Sequence, residues 1–68
     1  MIKHKKQFGV YHWDTFDNET WLVGEADTVE EAEALVDDKY GNRIRMDGAD
    51  RVDIVNATGE VVKKYCVG

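Results

Sequence analysis

Three side chains in this sequence are of types that often catalyse reactions or bind metals. They are His4, His12 and Cys66, the only histidines and the only cysteine. A catalytic nucleophile or base needs a second group to orient it, and a zinc site needs clustered ligands at spacings such as CxxC or HxxxH. Residues isolated at positions 4, 12 and 66 meet neither requirement. The sequence therefore predicts a protein that is not an enzyme and has no metal site and no cofactor.

Acidic residues are the other side chains with a chemical signature. Residues 14–38 contain ten acids and no Lys or Arg, whereas residues 1–13 contain three lysines and no acid. Such a block repels itself, and either solvation or a positively charged partner explains it. The net charge of −5 also disfavours general binding to nucleic acid, which needs a basic surface.

Length and composition limit what can hold these residues in place. A chain of 68 residues predicts one domain, residues 1–68, with a small core. The single cysteine allows no internal disulfide, as in reducing compartments. Since no apolar stretch is long enough for a membrane span or a signal peptide, we expect a cytoplasmic protein without membrane contact.

Two apolar runs with strand periodicity come first, at Gln7–Asp14 and Thr20–Ala26. The turn-forming residues Phe16–Glu19 lie between them, which predicts a β-hairpin with a loop of four or five residues. In the first run Phe8, Val10 and His12 alternate with Gly9, Tyr11 and Trp13. Strict alternation in the second would place Trp21, Val23 and Glu25 opposite Leu22, Gly24 and Ala26.

A helix is predicted from about Thr28 to Tyr40. Thr28 and Glu31 form a capping box, in which the Thr28 side chain accepts from the Glu31 N–H and the Glu31 carboxylate reaches back to the Thr28 N–H. Gly41 follows in the position where a left-handed cap ends a helix. The apolar stripe of this helix consists of Val29, Ala32, Leu35, Val36 and Tyr40.

The remaining elements form a second hairpin after an arm at residues 42–48. A strand at Asp50–Asn56 is followed by a tight turn, in which Gly59 is free to take a positive φ, and by a last strand at Glu60–Val67. The order is β-β-α-β-β. One amphipathic helix covers one face of a sheet, so we predict a two-layer α+β domain with a four-stranded, mainly antiparallel sheet. The strand order and the buried face stay open.

Two surfaces are candidates for partner contact. The helix face opposite the apolar stripe is acidic and is either solvated or a docking face for a basic protein surface, together with the acidic hairpin turn. Aromatic side chains exceed what one helix can cover, so they either pack on one another and on the arm or contact a partner. The predicted partner-binding residues are Asp17, Glu19, Glu30, Glu33, Asp37, Asp38, Tyr11, Trp13 and Tyr65.

Four short segments carry a resemblance to known proteins: Trp21–Val23, Asp27–Ala32 with its Thr-x-x-Glu-Ala helix start, Val52–Val55, and Gly59–Val62. This pattern resembles small uncharacterised bacterial and phage β-β-α-β-β domains. Its layout is similar to some phage-encoded anti-CRISPR inhibitors, which block a surveillance complex by contact alone. The resemblance implies a stoichiometric binding protein.

We therefore expect a small acidic protein-binding module, an inhibitor from a phage or mobile element that docks on a basic protein surface. A structural homodimer or assembly subunit, formed through sheet faces or edges, is the first alternative. The second is single-stranded nucleic-acid binding through Arg43, Arg45, Arg51 and the aromatic face.

Overall fold

A computed structural model describes residues 4–68 of the chain. Its elements are β1 (Phe8–Asp14), β2 (Glu19–Ala26), α1 (Val29–Tyr40), β3 (Asp50–Val55) and β4 (Val61–Val67), with a 3₁₀ turn at Gly41–Arg43. The strands form one antiparallel sheet in the order β2-β1-β3-β4. The predicted four-stranded α+β fold with one helix is confirmed. No helix within residues 4–68 is both long and apolar enough to cross a membrane.

The two hairpins lie side by side, with the first strand of each in the centre of the sheet. β1 and β3 pair with each other, so β2 and β4 form the edges. Val10 on β1 and Val52 and Ile54 on β3 are fully buried, because these strands are flanked on both sides and covered by the helix. The core therefore lies between α1 and the two central strands.

The helix is capped at both ends by local hydrogen bonds. The Thr28 side chain accepts from the Glu31 N–H at 3.1 Å, as predicted. The Glu31 carboxylate, however, accepts from the Asp27 N–H at 3.1 Å, so the predicted bond to the Thr28 N–H is wrong by one residue. At the other end Gly41 has a φ of 29° and its N–H donates to the Asp37 carbonyl.

The predicted apolar stripe of α1 faces the sheet. Ala32, Val36 and Tyr40 are buried, and Val29 and Leu35 are half-buried against the same core. A Cβ at position 24 of β2 would lie 2.5 Å from Leu35 Cδ1. Glycine at this position is therefore what lets the helix approach the edge strand.

A β-bulge in β2 corrects the predicted side-chain alternation. Val10 pairs with Gly24 and Tyr11 with Leu22, which leaves Val23 as the extra residue. One inserted residue reverses which face of the sheet the neighbouring part of the strand presents. Trp21 therefore shares the helix side with Gly24 and Ala26, whereas Leu22 and Glu25 share the opposite side, which we call the open face.

The second hairpin has the predicted turn, and the predicted arm pairs with it. Gly59 has a φ of 93°, with the Gly59 N–H bonded to the Asn56 carbonyl at 3.1 Å. In the arm, the Arg45 N–H donates to the Cys66 carbonyl at 2.8 Å and the Gly68 N–H to the Arg43 carbonyl at 2.8 Å. The arm thus covers only the C-terminal part of the outer edge of β4.

Candidate interaction surface

One end of the sheet brings together three connecting segments, and we call it the loop end. It comprises the β1–β2 loop (residues 15–18), the last turn of α1 (residues 37–40) and the turn at residues 46–49. The Thr15 hydroxyl donates to the Ala49 carbonyl at 2.6 Å, which ties the first segment to the third. The Tyr40 hydroxyl reaches the His12 ring at 2.7 Å, which fixes the end of the helix above β1.

The β1–β2 loop is ordered by its own hydrogen bonds. The Asp14 carboxylate accepts from the N–H of Phe16 at 3.0 Å and of Asp17 at 3.3 Å. Asn18 takes a φ of 56°, a conformation that asparagine tolerates better than most residues, and its side chain accepts from the Trp13 indole at 3.3 Å. The Phe16 side chain is 94% exposed. A defined loop therefore displays an aromatic ring to solvent.

A second large apolar side chain, Met46, is fully exposed in the turn at the same end. Our sequence reasoning missed both Phe16 and Met46 as site residues. Their exposure could have been predicted from the sequence, because each lies within a polar turn, Phe16–Glu19 or Arg45–Gly48. The flanking strands and helix cannot bury a side chain in such a turn. The segments of the loop end and the residues next to them also contain the acids Asp17, Glu19, Asp37, Asp38 and Asp47.

Three acidic residues of α1 face the edge strand β4. Glu30, Glu33 and Asp37 line a groove of about 410 Å³ between α1 and β4. The Glu33 carboxylate accepts from Lys63 Nζ of β4 at 2.8 Å, and this hydrogen bond raises the pKa of Lys63. Among residues 4–68, Glu30 and Asp37 form no ion pair. The predicted acidic face is therefore partly neutralised at Glu33.

The structure does not bring the three predicted aromatic residues together. Tyr11 and Trp13 lie on the open face, whereas Tyr65 pairs with Val52 and lies on the helix side. Tyr11 is only 5% exposed, because His4 Nδ1 hydrogen-bonds its hydroxyl at 2.9 Å. Trp13 stays half-buried. Of the three, Trp13 alone retains substantial exposure on the open face.

The N-terminal segment covers part of the open face. The backbone N–H groups of Lys5 and Lys6 both donate to the Glu25 carboxylate, from Lys6 at 3.0 Å, and these bonds lower the pKa of Glu25. A Cβ at Gly9 would lie 2.6 Å from His4 Nδ1. Glycine at position 9 thus makes room for a segment that the sequence pattern alone did not place.

His12 belongs to a buried polar cluster on the helix side. Its Nδ1 hydrogen-bonds the Tyr40 hydroxyl at 2.7 Å and its Nε2 the Asp50 carboxylate at 3.0 Å, while Trp21 stacks on the ring at 4.6 Å. Burial raises the pKa of Tyr40. Cys66, by contrast, pairs with Arg51 on the open face. The cluster joins helix to sheet, and its members lie too far apart in sequence for spacing to reveal it.

The three arginines proposed for nucleic-acid contact also lie apart. Arg51 lies over the Trp13 ring on the open face at 5.6 Å. Arg43 lies over the Tyr40 ring at 5.6 Å and donates to the Gly68 carbonyl at 3.1 Å. Arg45 extends from the arm near Asp47. Within residues 4–68, no group of three or more His, Cys, Asp or Glu side chains could hold a metal ion.

Three comparisons with known proteins found no match for this chain: a scan of protein-family models, a search of curated proteins and a search of solved structures. The layout resemblance to phage inhibitors therefore stays a prediction.

Proposed function

We propose that the protein is a non-enzymatic binding module that docks its loop end on a basic surface of a partner protein. The observation that carries this proposal is Phe16, 94% exposed on a loop held by the Asp14 carboxylate. An ordered loop loses less conformational entropy on binding than a mobile one. The aromatic ring is therefore available for contact at low entropic cost.

The acids and the ring have different tasks in this proposal. Carboxylates in and beside the loop-end segments, at Asp17, Glu19, Asp37 and Asp38, attract a basic surface and raise the association rate. Burying Phe16 in an apolar pocket of the partner contributes about 1.5–3 kcal/mol, roughly a ten- to hundred-fold change in Kd. The layout resemblance to phage inhibitors supports a role in which occupying the partner's surface is itself the effect.

The test is capture of the partner from bacterial lysate with the tagged protein, followed by titration of the purified partner. Phe16→Ser should weaken binding by about ten-fold or more. Asp17→Asn with Glu19→Gln should slow association and reduce its dependence on salt. Glu60→Gln removes one carboxylate at the opposite end of the sheet, so it is the charge control for Asp17→Asn and Glu19→Gln made singly. Capture that is indifferent to salt, with wild-type affinity for Phe16→Ser, would refute the proposal.

A further inference from the structure

The outer edge of β4 is free over part of its length. The backbone of the arm occupies this edge at two places. The Cys66 carbonyl accepts from the Arg45 N–H, and the Gly68 N–H donates to the Arg43 carbonyl. Outward-pointing backbone groups recur at every second residue of a strand in an antiparallel ladder. The N–H and C=O of Lys64 therefore point outward as well, and β3 is the only strand paired with β4 within residues 4–68.

Two depressions flank this free edge, one on each side of the sheet. On the helix side lies the acidic groove that contains Glu30, Glu33 and Asp37. Lys63 is its one cation beside three carboxylates, so the groove has a net formal charge of −2. On the other side lies a mainly apolar hollow of about 390 Å³, whose lining includes Met46 and Cys66 and also the basic residues Arg45 and Lys64.

We propose that an extended segment of a partner protein adds to the sheet beside Lys64. Side chains of an added strand alternate between the two depressions. Those on the helix side would be Lys or Arg, bound by Glu30 and Asp37, and those on the other side would be apolar, packed on Met46 and Cys66. The inference rests on the proposed function in requiring a protein partner. Its surface is centred on Lys64 and shares only Asp37 and Met46 with the loop end.

A second copy of the chain suits this edge less well. Pairing two β4 edges about a two-fold axis would place Lys64 of one copy close to Lys64 of the other on the open face, and like charges across strands are destabilising. Lys63, on the helix side, is already paired with Glu33. Lysines on an edge strand are a common means of preventing self-association. The groove beside them, with its charge of −2, still favours a basic segment.

The test uses a labelled synthetic peptide in which lysine alternates with valine, compared with a peptide in which glutamate replaces each lysine. Fluorescence anisotropy should show saturable binding of the lysine peptide, about ten-fold tighter than the glutamate peptide. Bound peptide should also slow hydrogen exchange of the Lys64 amide by at least about ten-fold. No binding of the lysine peptide up to about 1 mM, or equal binding of both peptides, would overturn the proposal.

Variants assign the site. Lys64→Pro removes the outward N–H and should abolish binding, whereas Lys64→Val keeps the backbone and should retain it. If Lys64→Pro does not fold, Glu30→Gln with Asp37→Asn still tests the groove, and wild-type affinity of that variant would overturn the proposal. Phe16→Ser should bind the peptide normally. If Phe16→Ser also captures the partner as well as the wild type does, the loop-end proposal alone is refuted. If the wild type binds no peptide but sediments as a dimer, and Lys64→Pro disrupts that dimer, the edge would be assigned to self-pairing instead.

Discussion

The buried cluster around His12 makes the Tyr40→Phe substitution a sharp test of the fold. The change removes one hydroxyl and leaves the ring in place, so it alters hydrogen bonding with little change in packing. In the wild type this hydroxyl lies 2.7 Å from His12 Nδ1, and both residues are less than a tenth exposed. Without it, a buried ring nitrogen loses its partner.

The expected loss can be worked out from that geometry. An intramolecular hydrogen bond contributes about 1 kcal/mol net, and leaving a buried polar group unsatisfied costs about 1–3 kcal/mol. We therefore expect Tyr40→Phe to lower the free energy of unfolding by about 2 kcal/mol. A domain of this size has roughly 3–10 kcal/mol in total, so the loss is a large share. The melting temperature should fall by about 10 °C.

Urea unfolding followed by tryptophan fluorescence measures this loss, because Trp21 stacks on the His12 ring and reports on the cluster. Tyr65→Phe is the matched control: it removes a hydroxyl from a half-buried tyrosine on the same sheet face, outside the cluster, and should change the free energy of unfolding by less than about 0.5 kcal/mol. Equal effects of the two substitutions would refute the assignment of Tyr40 as the helix-to-sheet link.

Three further substitutions test other parts of the structure. Backbone N–H groups of the N-terminal segment lower the pKa of the Glu25 carboxylate. These hydrogen bonds stabilise the folded protein fully at pH values above 4.5, the ordinary pKa of this group. The stabilisation is lost as the pH falls through the lower pKa of Glu25 in the folded state. Glu25→Gln should accordingly reduce hydrogen-exchange protection of the Lys5 and Lys6 amides at pH 7 and lose its effect in acid. Burial raises the pKa of Asp53, and the Asp53 Oδ1 atom is buried without a hydrogen-bond partner among residues 4–68. Asp53→Val should therefore raise the free energy of unfolding at pH 7 by about 1 kcal/mol. That gain should shrink as falling pH protonates the wild-type carboxylate, and a gain independent of pH would contradict the assignment. Gly59→Ala should lower the free energy of unfolding by about 1 kcal/mol, because alanine is strained at a φ of 93°. Gly59→Asn should lower it by less in the same urea assay.

The sequence predicted the fold because its signals are local. A capping residue at Thr28, an apolar stripe ending at Tyr40 and a glycine turn at Gly59 each act within a few neighbouring residues. The strand order depends on contacts between distant segments, and no local rule selects the pairing of β1 with β3. The bulge at Val23 was also hidden, because an inserted residue leaves apolar composition unchanged while reversing sidedness.

The site was less predictable than the fold for the same reason. The acids of the hairpin loop and helix were identifiable from charge alone, but the ion pair between Glu33 and Lys63 joins residues thirty apart. The predicted grouping of Tyr11 with Tyr65 did not hold, since strand register places them on opposite faces. Burial of Tyr11 depends on His4, which lies outside every predicted element.

The two proposed surfaces can be separated from the core that supports them. Phe16 and Lys64 belong to a loop and a strand edge, and neither contributes a side chain to the His12 cluster. Substitutions distant in structure and without shared partners have additive effects. Tyr40→Phe should therefore lower stability while leaving the affinity for a partner unchanged at temperatures where the variant is folded. Phe16→Ser should lower the affinity for a partner while leaving stability unchanged, because removing an exposed ring hardly alters the free energy of unfolding of the unbound protein. A binding loss in Tyr40→Phe at full folding would mean that partner recognition depends on the position of the α1 C-terminus, and the acids Asp37 and Asp38 would then be the contact to test first.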